Sequence, residues 1–186
     1  MSVTFGVFGG SFDPPHVAHT LLAAYALSAY RLERVLVIPT YEHPFGKALS
    51  AFEDRIRMCE FAFAELPRVE VSSLERELSR PSLTVNTLEA LKRLHPGVEL
   101  RLLMGADLVS ETHAWHDFPR VAALAAPLIV ERQGYETHAS GRPALPDVSS
   151  TEVRRRLRAG ESTEGLLSPA VANYARTHGL YTLDPV

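Results

Sequence analysis

Residues 3–19 read VTFGVFGGSFDPPHVAH, and the architecture of the chain follows from this segment. Val3 to Phe8 is a short apolar run rich in β-forming residues, and Gly9-Gly10 ends it. A pattern rich in Ala and Leu, with helical spacing, then extends from Val17 to Tyr30. The segment therefore predicts a strand, a glycine-containing loop and a helix, in that order.

The same alternation continues along the chain. Apolar runs at 35–38, 69–71, 100–104 and 128–130 predict strands, and segments at about 51–66, 84–94 and 117–125 predict the helices between them. Continuous apolar runs suit parallel strands that are covered on both faces. We therefore predict an α/β fold with a Rossmann-like open, mostly parallel sheet, helices on both faces and right-handed crossovers.

The C-terminal portion, about residues 151–186, is predicted to be helical. It contains the spacing of a capping box, a Ser-Pro helix start and a Gly stop signal, namely Ser149 with Glu152, Ser168 with Pro169, and His178 with Gly179. No internal repeat, low-complexity tract or interdomain linker is evident in the sequence. Residues 1–186 are therefore predicted to form a single domain.

The composition excludes several classes of protein. The 186 residues are 46% hydrophobic and 22% charged, which is typical of neither a disordered nor a fibrous chain. The formal net charge of −3 does not favour attraction to nucleic acid or to an anionic membrane. No apolar run reaches the roughly 18 residues of a membrane span. We therefore expect neither a nucleic-acid partner nor a membrane partner.

The single cysteine and the first residues bear on the compartment. Cys59 lies in an apolar helical pattern, where a buried structural thiol is expected, and it has no second cysteine for an intrachain disulfide. The first eight residues contain no positive leader and no cleavage-like end. We therefore expect a cytoplasmic protein. Its oligomeric state stays open, and the sequence is compatible with a homo-oligomer.

The loop after the first strand is the best candidate for a binding site. In an open α/β sheet, ligands bind at the carboxyl ends of strands, and the N-terminus of a helix offers unpaired amides to an anion. Gly9 and Gly10 would let the backbone approach a ligand, and His16 and His19 lie in the first helical turn. These features favour a phosphate site. The alternatives are a structural turn with surface histidines and a metal site, for which no third ligand is evident.

The segment around this loop resembles a known family signature. GGSFDPPHxxH at 9–19 looks like the signature of the nucleotidyltransferase α/β-phosphodiesterase superfamily, and VSSTEVR at 148–154 is similar to its Ile-Ser-Ser-Thr-x-Ile-Arg. Within that superfamily the closest likeness is to the nicotinate-nucleotide adenylyltransferases, which join nicotinate mononucleotide to ATP and release pyrophosphate. The further similar segments are 39–47, 55–58, 82–88, 104–107 and Trp115.

Four features depart from that family's pattern. Ala18 stands where the family usually has Gly, Leu83 replaces Tyr, and Asn86 replaces Asp. The loop at 43–47 reads HPFGK instead of ending in Pro-His-Lys. Since the resemblance assigns 43–47 and 82–86 to the mononucleotide, these departures bear on the choice of substrate.

The resemblance implies three groups of site residues. The implied catalytic residues, which would bind the triphosphate and stabilise charge around the α-phosphorus, are His16, His19 and Arg154. The implied ATP-binding residues are Gly9, Gly10, Ser11, Phe12, Gly105, Asp107, Arg132, Ser149, Ser150 and Thr151. The implied mononucleotide-binding residues are Lys47, Thr84 and Trp115. Mg²⁺ is the implied cofactor, held mainly through the ATP phosphates, and we expect no dedicated metal site on the protein.

Simpler roles stay open for some of these residues. The alternative for Asp107 is a helix N-cap, and the alternative for Trp115 is a core position. The remaining histidines lack a shared ligand spacing and are interpreted as surface or core residues, namely His43, His95, His113, His116, His138 and His178. The arginines that follow Arg154 on the same helix are interpreted as a solvated face.

Adenylyl transfer from ATP to nicotinate mononucleotide, giving deamido-NAD in NAD biosynthesis, is the function that the resemblance implies. One alternative is a related adenylyltransferase that acts on nicotinamide mononucleotide or phosphopantetheine. Another is a catalytically silent homologue that binds nucleotides without turnover. A nucleic-acid-binding module is a third and weaker alternative.

Overall fold

The computed structural model describes residues 3–135 and 144–182, with a five-stranded sheet at its centre. The strands are β1 (Thr4–Gly10), β2 (Arg34–Pro39), β3 (Val69–Val71), β4 (Glu99–Gly105) and β5 (Ala125–Val130). All neighbouring pairs are parallel, and the spatial order is β3-β2-β1-β4-β5. The predicted α/β fold with a parallel sheet is confirmed.

Helices connect the strands and form the C-terminal part. Within the described residues the α-helices are α1 (Val17–Ala29), α2 (Phe52–Phe63), α3 (Thr84–Leu94), α4 (Phe118–Leu124), α5 (Ser150–Ala159) and α6 (Pro169–Thr177). Two 3₁₀-helices, Leu74–Glu77 and Ala106–Ala114, follow β3 and β4. The helices α5 and α6 confirm the predicted helical character of the C-terminal portion.

Neighbouring residues of the central strands pack into hydrophobic cores on opposite faces of the sheet. Phe8 and Val37 belong to one core, which α1 and α2 cover. Val7 and Ile38 belong to the other core, which α3 and α4 cover. Because both faces are buried, the strands have continuous apolar sequences rather than alternating ones. The predicted placement of helices on both faces is confirmed.

The strand order fixes where a ligand can bind. β1 pairs with β2 on one side and with β4 on the other, so the winding of the chain reverses between β1 and β4. At such a switch point the carboxyl ends of the two strands border a crevice. Gly10 ends β1 and Gly105 ends β4, and both therefore lie at this crevice.

Some element boundaries differ from those that the sequence predicted. β1 continues through Gly9 and Gly10 instead of ending at Phe8, because both glycines pair with the end of β2. α2 ends at Phe63, three residues before its predicted end. The 3₁₀-helix Ala106–Ala114 was not predicted, because i→i+3 hydrogen bonds do not produce the 3.6-residue period of an α-helix.

Both predicted N-caps of the C-terminal helices are present. The Ser149 hydroxyl accepts a hydrogen bond from the N–H of Glu152 at 3.2 Å, and the Ser168 hydroxyl caps α6 at 3.3 Å. The second half of the predicted capping box is wrong, since the carboxylate of Glu152 accepts from Arg155 and Arg156 instead. Hydrogen bonds between charged partners are stronger than a bond to one backbone N–H, which explains the difference.

Two further observations bear on the class of protein. Cys59 is fully buried, as predicted, and burial raises the pKa of its thiol well above the usual range. Such a thiol stays protonated and unreactive near neutral pH. Across residues 3–135 and 144–182, no helix is both long enough and apolar enough to cross a membrane.

Candidate active site

A cavity of about 720 Å³ opens at the carboxyl ends of β1 and β4. With one exception, every predicted site residue lines it: Gly9, Gly10, Ser11, Phe12, His16, His19, Lys47, Thr84, Gly105, Asp107, Trp115, Arg132, Ser149, Ser150 and Thr151. The exception is Arg154. Its guanidinium lies beside the cavity, because it donates to the hydroxyl of Thr151 at 3.2 Å.

The loop after β1 is anchored in the core by an aromatic ring. Phe12 has a left-handed backbone (φ 47°) and a side chain that is only 1% exposed. Its ring packs edge-on against Phe8 and Phe63, with centroids 5.2 and 6.3 Å away. A Cβ on Gly10 would stand 3.3 Å from the same ring. The ring therefore fixes the loop, and the backbone of Ser11 and Phe12 is left to border the cavity.

The two predicted histidines form a stacked pair. Their ring centroids are 3.7 Å apart, and the backbone N–H of His16 donates to Nδ1 of His19 at 3.1 Å. Burial, followed by the charge of Arg132, lowers the pKa of His16 to about 4. Burial, followed by the neighbouring His16, holds the pKa of His19 well below its usual range. In the unliganded protein both rings are therefore neutral near pH 7.

The N-terminus of α1 is less open than the sequence predicted. The first helical N–H, that of Val17, donates to the carbonyl of Leu166 at 2.9 Å. This contact is long-range, between residues distant in sequence, and the loop before α6 supplies it. The N–H of Ala18 has no hydrogen-bond partner within the described part of the chain, so it is the free amide of this first turn. The prediction that the early N–H groups of α1 are all free is therefore wrong.

The N-terminus of α5 lies directly against the β1–α1 loop. The hydroxyl of Ser150 donates to the carbonyl of Pro14 at 2.9 Å, and Nη1 of Arg154 donates to the carbonyl of Asp13 at 2.6 Å. The N–H groups of Ser150 and Thr151 have no partner within the described part of the chain. The two predicted signature segments, 136 or more residues apart in sequence, are thus joined by direct hydrogen bonds.

An ion pair links the ends of β4 and β5 at the cavity. The guanidinium of Arg132 pairs with the carboxylate of Asp107 and also donates to the carbonyl of Val148 at 2.7 Å. A Cβ at position 105 would collide with the carboxylate of Asp107, so Gly105 is needed for this arrangement. Gly105 itself occupies the N-cap position of the following 3₁₀-helix. The alternative N-cap role for Asp107 is therefore wrong.

A buried arginine that the sequence analysis did not assign to the site organises two loops. Arg55 is 1% exposed and donates to the carbonyls of Ser11 at 3.0 Å, Thr40 at 2.7 Å and Ser50 at 2.9 Å. It thereby ties the loop after β1 to the loop after β2. The sequence indicated Arg55 only through the similarity of segment 55–58 to the family, because α2 also contains other charged residues, among them Asp54 and Arg57.

The far end of the cavity is held by a network around a buried carboxylate. Glu75 is 7% exposed and accepts from the hydroxyl of Thr87 at 2.8 Å and from the N–H of Tyr41 at 3.0 Å. The hydroxyl of Ser82 accepts from the N–H groups of Tyr41 and Glu42 at 3.1 Å each. This network fixes the start of the loop that carries the predicted lysine.

The cavity lining also includes two histidines that the sequence analysis interpreted as surface or core residues. His43 and His116 both line the cavity, next to Lys47 and Trp115 respectively. Nδ1 of His43 accepts from the N–H of Phe45 at 3.2 Å. Burial, then the nearby charge of Lys47, lowers the pKa of His43. His116 is exposed, which agrees with the surface interpretation, and His43 is partly buried; both also lie in the cavity wall. His138 lies outside the described residues.

The departures from the family pattern divide into two groups. Ala18 and Leu83 line the cavity. Asn86 does not line it, and its side chain donates to the hydroxyl of Ser79 at 3.2 Å. Trp115 is half-buried, with its ring edge-on to Phe118 at 6.0 Å, so it contacts the core and the cavity together.

No group of three or more His, Cys, Asp or Glu side chains in the described ranges has the arrangement of a metal site. Besides scattered carboxylates, the cavity lining offers hydroxyls, amides, imidazoles, the ammonium group of Lys47 and the guanidinium of Arg132. Such donors suit anionic ligands.

Comparisons with known proteins agree with this geometry. The cytidylyltransferase-like family matches residues 7–156. A protein of Anaeromyxobacter sp. (strain K), named probable nicotinate-nucleotide adenylyltransferase, is 44% identical and covers 94% of this chain and 95% of its own length. A protein of Thermus thermophilus with the same name is 38% identical, covering 95% of this chain and 98% of its own length. Plasmodium falciparum nicotinic acid mononucleotide adenylyltransferase complexed with NaAD superposes with a TM-score of 0.81 at 19% identity, over 96% of this chain and 97% of that one.

Proposed function

The chain belongs to the nicotinate-nucleotide adenylyltransferases, within the cytidylyltransferase-like family, and on that basis we propose that this cavity transfers the adenylyl group of ATP to nicotinate mononucleotide. The products are deamido-NAD and pyrophosphate. The observation that carries the proposal is the continuity of one cavity from the His16–His19 pair to Lys47 and Trp115. Two anionic substrates can therefore meet inside it.

The reaction is a displacement at phosphorus. A phosphate oxygen of nicotinate mononucleotide attacks the α-phosphorus of ATP, and the bond from that phosphorus to the bridging oxygen of the β-phosphate breaks. Pyrophosphate leaves with the electron pair of the broken bond. A phosphate monoester is mostly dianionic near neutral pH, since its second pKa is about 6, so the attack needs no general base. The site must align two anions and stabilise the charge on the leaving group.

The β1–α1 loop supplies donors at the transferred group. Because Nδ1 of His19 accepts from the N–H of His16, the proton of the neutral His19 ring is on Nε2, which can donate to a phosphate oxygen. The free amide of Ala18 and the backbone of Gly9 and Gly10 border the same space. These neutral donors would gain strength in a site from which substrates exclude water.

The N-terminus of α5 would hold the leaving pyrophosphate. Ser149, Ser150 and Thr151 line the cavity at the positive end of the helix dipole, where the two free N–H groups and the Ser149 hydroxyl would donate to an anion. Arg154, bound to Thr151, adds a full positive charge beside them. At the other side of the nucleotide, Asp107 would accept from the ribose hydroxyls.

The opposite end of the cavity would bind nicotinate mononucleotide. Lys47 is exposed and has no hydrogen-bond partner within the described residues, so its ammonium group is available to the monoester phosphate. Trp115 offers a ring face for stacking on the pyridine, and Thr84 stands at the start of α3. We add His43 and His116 to this group because they line the same cavity and lie next to Lys47 and Trp115 respectively.

Mg²⁺ would enter with ATP. Because the described lining contains no cluster of carboxylates, the residues present fit a metal that is held by phosphate oxygens and water. When bound, the ion screens the triphosphate charge. The protein's own contribution is to bind and orient the phosphates through the donors of the two helix N-termini.

The proposed function is tested by a substrate panel. Purified protein, ATP and Mg²⁺ are combined separately with nicotinate mononucleotide, nicotinamide mononucleotide and phosphopantetheine, and pyrophosphate release is measured. We expect the highest kcat/KM with nicotinate mononucleotide. A preference for either of the other acceptors would show that the proposed substrate is wrong. ATP binding without any turnover would identify a catalytically silent homologue.

A further inference from the structure

The C-terminal residues contact the β1–α1 loop from a side that does not face the cavity. We call residues 160–182, which contain α6, the C-terminal strap. The phenol of Tyr181 donates to Oδ1 of Asp13 at 2.6 Å, although the two residues are 168 positions apart. Asp13 is 3% exposed, and its other carboxylate oxygen accepts from the N–H of Ser50 at 3.2 Å. Both carboxylate oxygens of Asp13 therefore accept hydrogen bonds, on the side of the loop that does not face the cavity.

The strap also holds the other end of the loop. The carbonyl of Leu166 accepts from the N–H of Val17 at 2.9 Å. Leu167 and Val171 of the strap pack with Ala18 in a third hydrophobic core. Both the start of the proline segment and the first turn of α1 are thus attached to the strap.

The conformation of Tyr181 shows that its position is specified. Its backbone is left-handed, with φ 63°, which is uncommon for a bulky side chain and persists where surrounding contacts hold it. Burial and the adjacent Asp13 raise the pKa of Tyr181 well above its usual range. The phenol therefore stays protonated, and remains a hydrogen-bond donor, throughout the neutral and mildly alkaline range.

Neither member of this pair reaches the substrates. Tyr181 and Asp13 do not line the cavity, whereas Ser11, Phe12 and His16 on either side of Asp13 do. The carbonyl of Asp13 also receives the hydrogen bond from Arg154. A shift of Asp13 would therefore move the loop backbone and the guanidinium beside it together.

We propose that Tyr181 is a positioning residue that acts through Asp13 to keep the β1–α1 loop in the shape that binds the triphosphate of ATP. This inference rests on the proposed function for its kinetic consequence. Its structural consequence, a loop that opens more often when the phenol is removed, does not depend on any activity. No residue of the strap lies within the stretch that the cytidylyltransferase-like family matches, residues 7–156.

The test compares two tyrosines of the same C-terminal region. Tyr181→Phe removes the hydrogen bond to Asp13, and Tyr174→Phe removes an equivalent bond from α6 to Asp54, which is 2.9 Å long and does not touch the loop. We expect both variants to fold, with a larger loss of stability in Tyr181→Phe because its partner Asp13 is buried, whereas Asp54 is only partly buried. Only Tyr181→Phe should affect the loop.

Hydrogen exchange of the free protein gives the readout that is independent of catalysis. In Tyr181→Phe we expect the hydrogen-bonded amides of His16, Val17 and His19 to exchange at least about tenfold faster, with no such change in Tyr174→Phe. In steady-state kinetics we expect KM for ATP to rise about tenfold in Tyr181→Phe, with KM for nicotinate mononucleotide unchanged, because the loop must be reordered when ATP binds.

The outcomes separate the two proposals. Equal exchange of the loop in the two variants would overturn the positioning role, whatever the activity. If the wild-type protein turns over none of the acceptors, the proposed function fails, and the exchange comparison still decides the role of Tyr181. Asp13→Asn provides a second variant: it should raise loop exchange as Tyr181→Phe does, and the double variant should show no further increase. Additive increases would contradict action through Asp13.

Discussion

The backbone N–H of His16 donates to Nδ1 of His19 at 3.1 Å, while the two imidazoles stack with centroids 3.7 Å apart. The donation fixes the tautomer of His19, so a neutral ring has its proton on Nε2. His16 is buried and His19 is partly buried, and their stacking disfavours charge on either ring, which agrees with the low pKa of both. In the unliganded state both rings are therefore neutral, and the ring of His19 carries its N–H donor at Nε2.

Removal of the His19 ring should impair catalysis strongly. In His19→Ala we expect kcat/KM to fall at least about 10²-fold, equivalent to about 2.7 kcal/mol of transition-state stabilisation, because a preorganised donor is lost. Pyrophosphate release measures the effect. His178→Ala, which alters an exposed ring stacked on Tyr174, is the control and should keep wild-type kinetics. Near-normal kinetics in His19→Ala would contradict the assignment.

The pH dependence of stability should reflect the low pKa of His16. Its pKa is 6.5 when unfolded and about 4 when folded, so the unfolded state binds more protons between these values. The contribution of neutral His16 to the free energy of unfolding is complete above pH 6.5 and is lost as the pH falls toward 4, amounting to about 3 kcal/mol. Urea denaturation at several pH values, for wild type and His16→Asn, measures it. Parallel pH profiles of the two proteins would contradict the expectation.

Arg154 should matter for catalysis more than the arginines that follow it on α5. In Arg154→Ala we expect kcat/KM to fall at least about 10²-fold, because both the charge beside the pyrophosphate and the hydrogen bond to Asp13 disappear. Arg158→Ala, on the same helix and exposed, is the matched control. Equal kinetics of the two variants would mean that Arg154 does not act on the substrates.

The Asp107–Arg132 pair should respond asymmetrically to mutation. Asp107→Ala leaves Arg132 with Asp147 and Val148, and should lower the free energy of unfolding by about 1 kcal/mol. Arg132→Met leaves a mostly buried carboxylate without its partner, and should cost about 2–3 kcal/mol. A double-mutant cycle should give a coupling of about 1–2 kcal/mol. Equal single-variant costs and no coupling would show that the pair is not formed.

The two lysines of the chain provide a test of the mononucleotide end. In Lys47→Ala we expect KM for nicotinate mononucleotide to rise at least about tenfold while KM for ATP stays unchanged, because one phosphate contact is lost. Lys92→Ala is the control. Lys92, in the last turn of α3, donates to the carbonyl of Val98 and does not line the cavity. A parallel rise of both KM values in Lys47→Ala would contradict the assignment of Lys47 to the mononucleotide phosphate.

Much of the site could be predicted because its residues are close in sequence to recognisable local structure. Gly9 to His19 form one continuous strand–loop–helix segment, so their mutual arrangement depends mainly on local geometry. Ser149 was predicted as a helix cap for the same reason, and the cap is present. His43 and His116 were not assigned to the site. His43 lies in the segment 43–47 that the resemblance relates to the mononucleotide, but the local sequence does not show that two separate loops bring both rings to one cavity.

The order of apolar runs and glycines determined the parallel sheet, the helices on both faces and the segments that contain the site, because strand and helix periodicity are local properties of the chain. Which donors stay free depends on the tertiary structure. In the folded chain the N–H of Val17 donates to Leu166, and Arg154 donates to the carbonyl of Asp13. Asp107 pairs with Arg132, and Tyr181 donates to the side chain of Asp13 in the loop. Such contacts join residues distant in sequence, and their formation depends on packing between elements rather than on the propensity of any one of them.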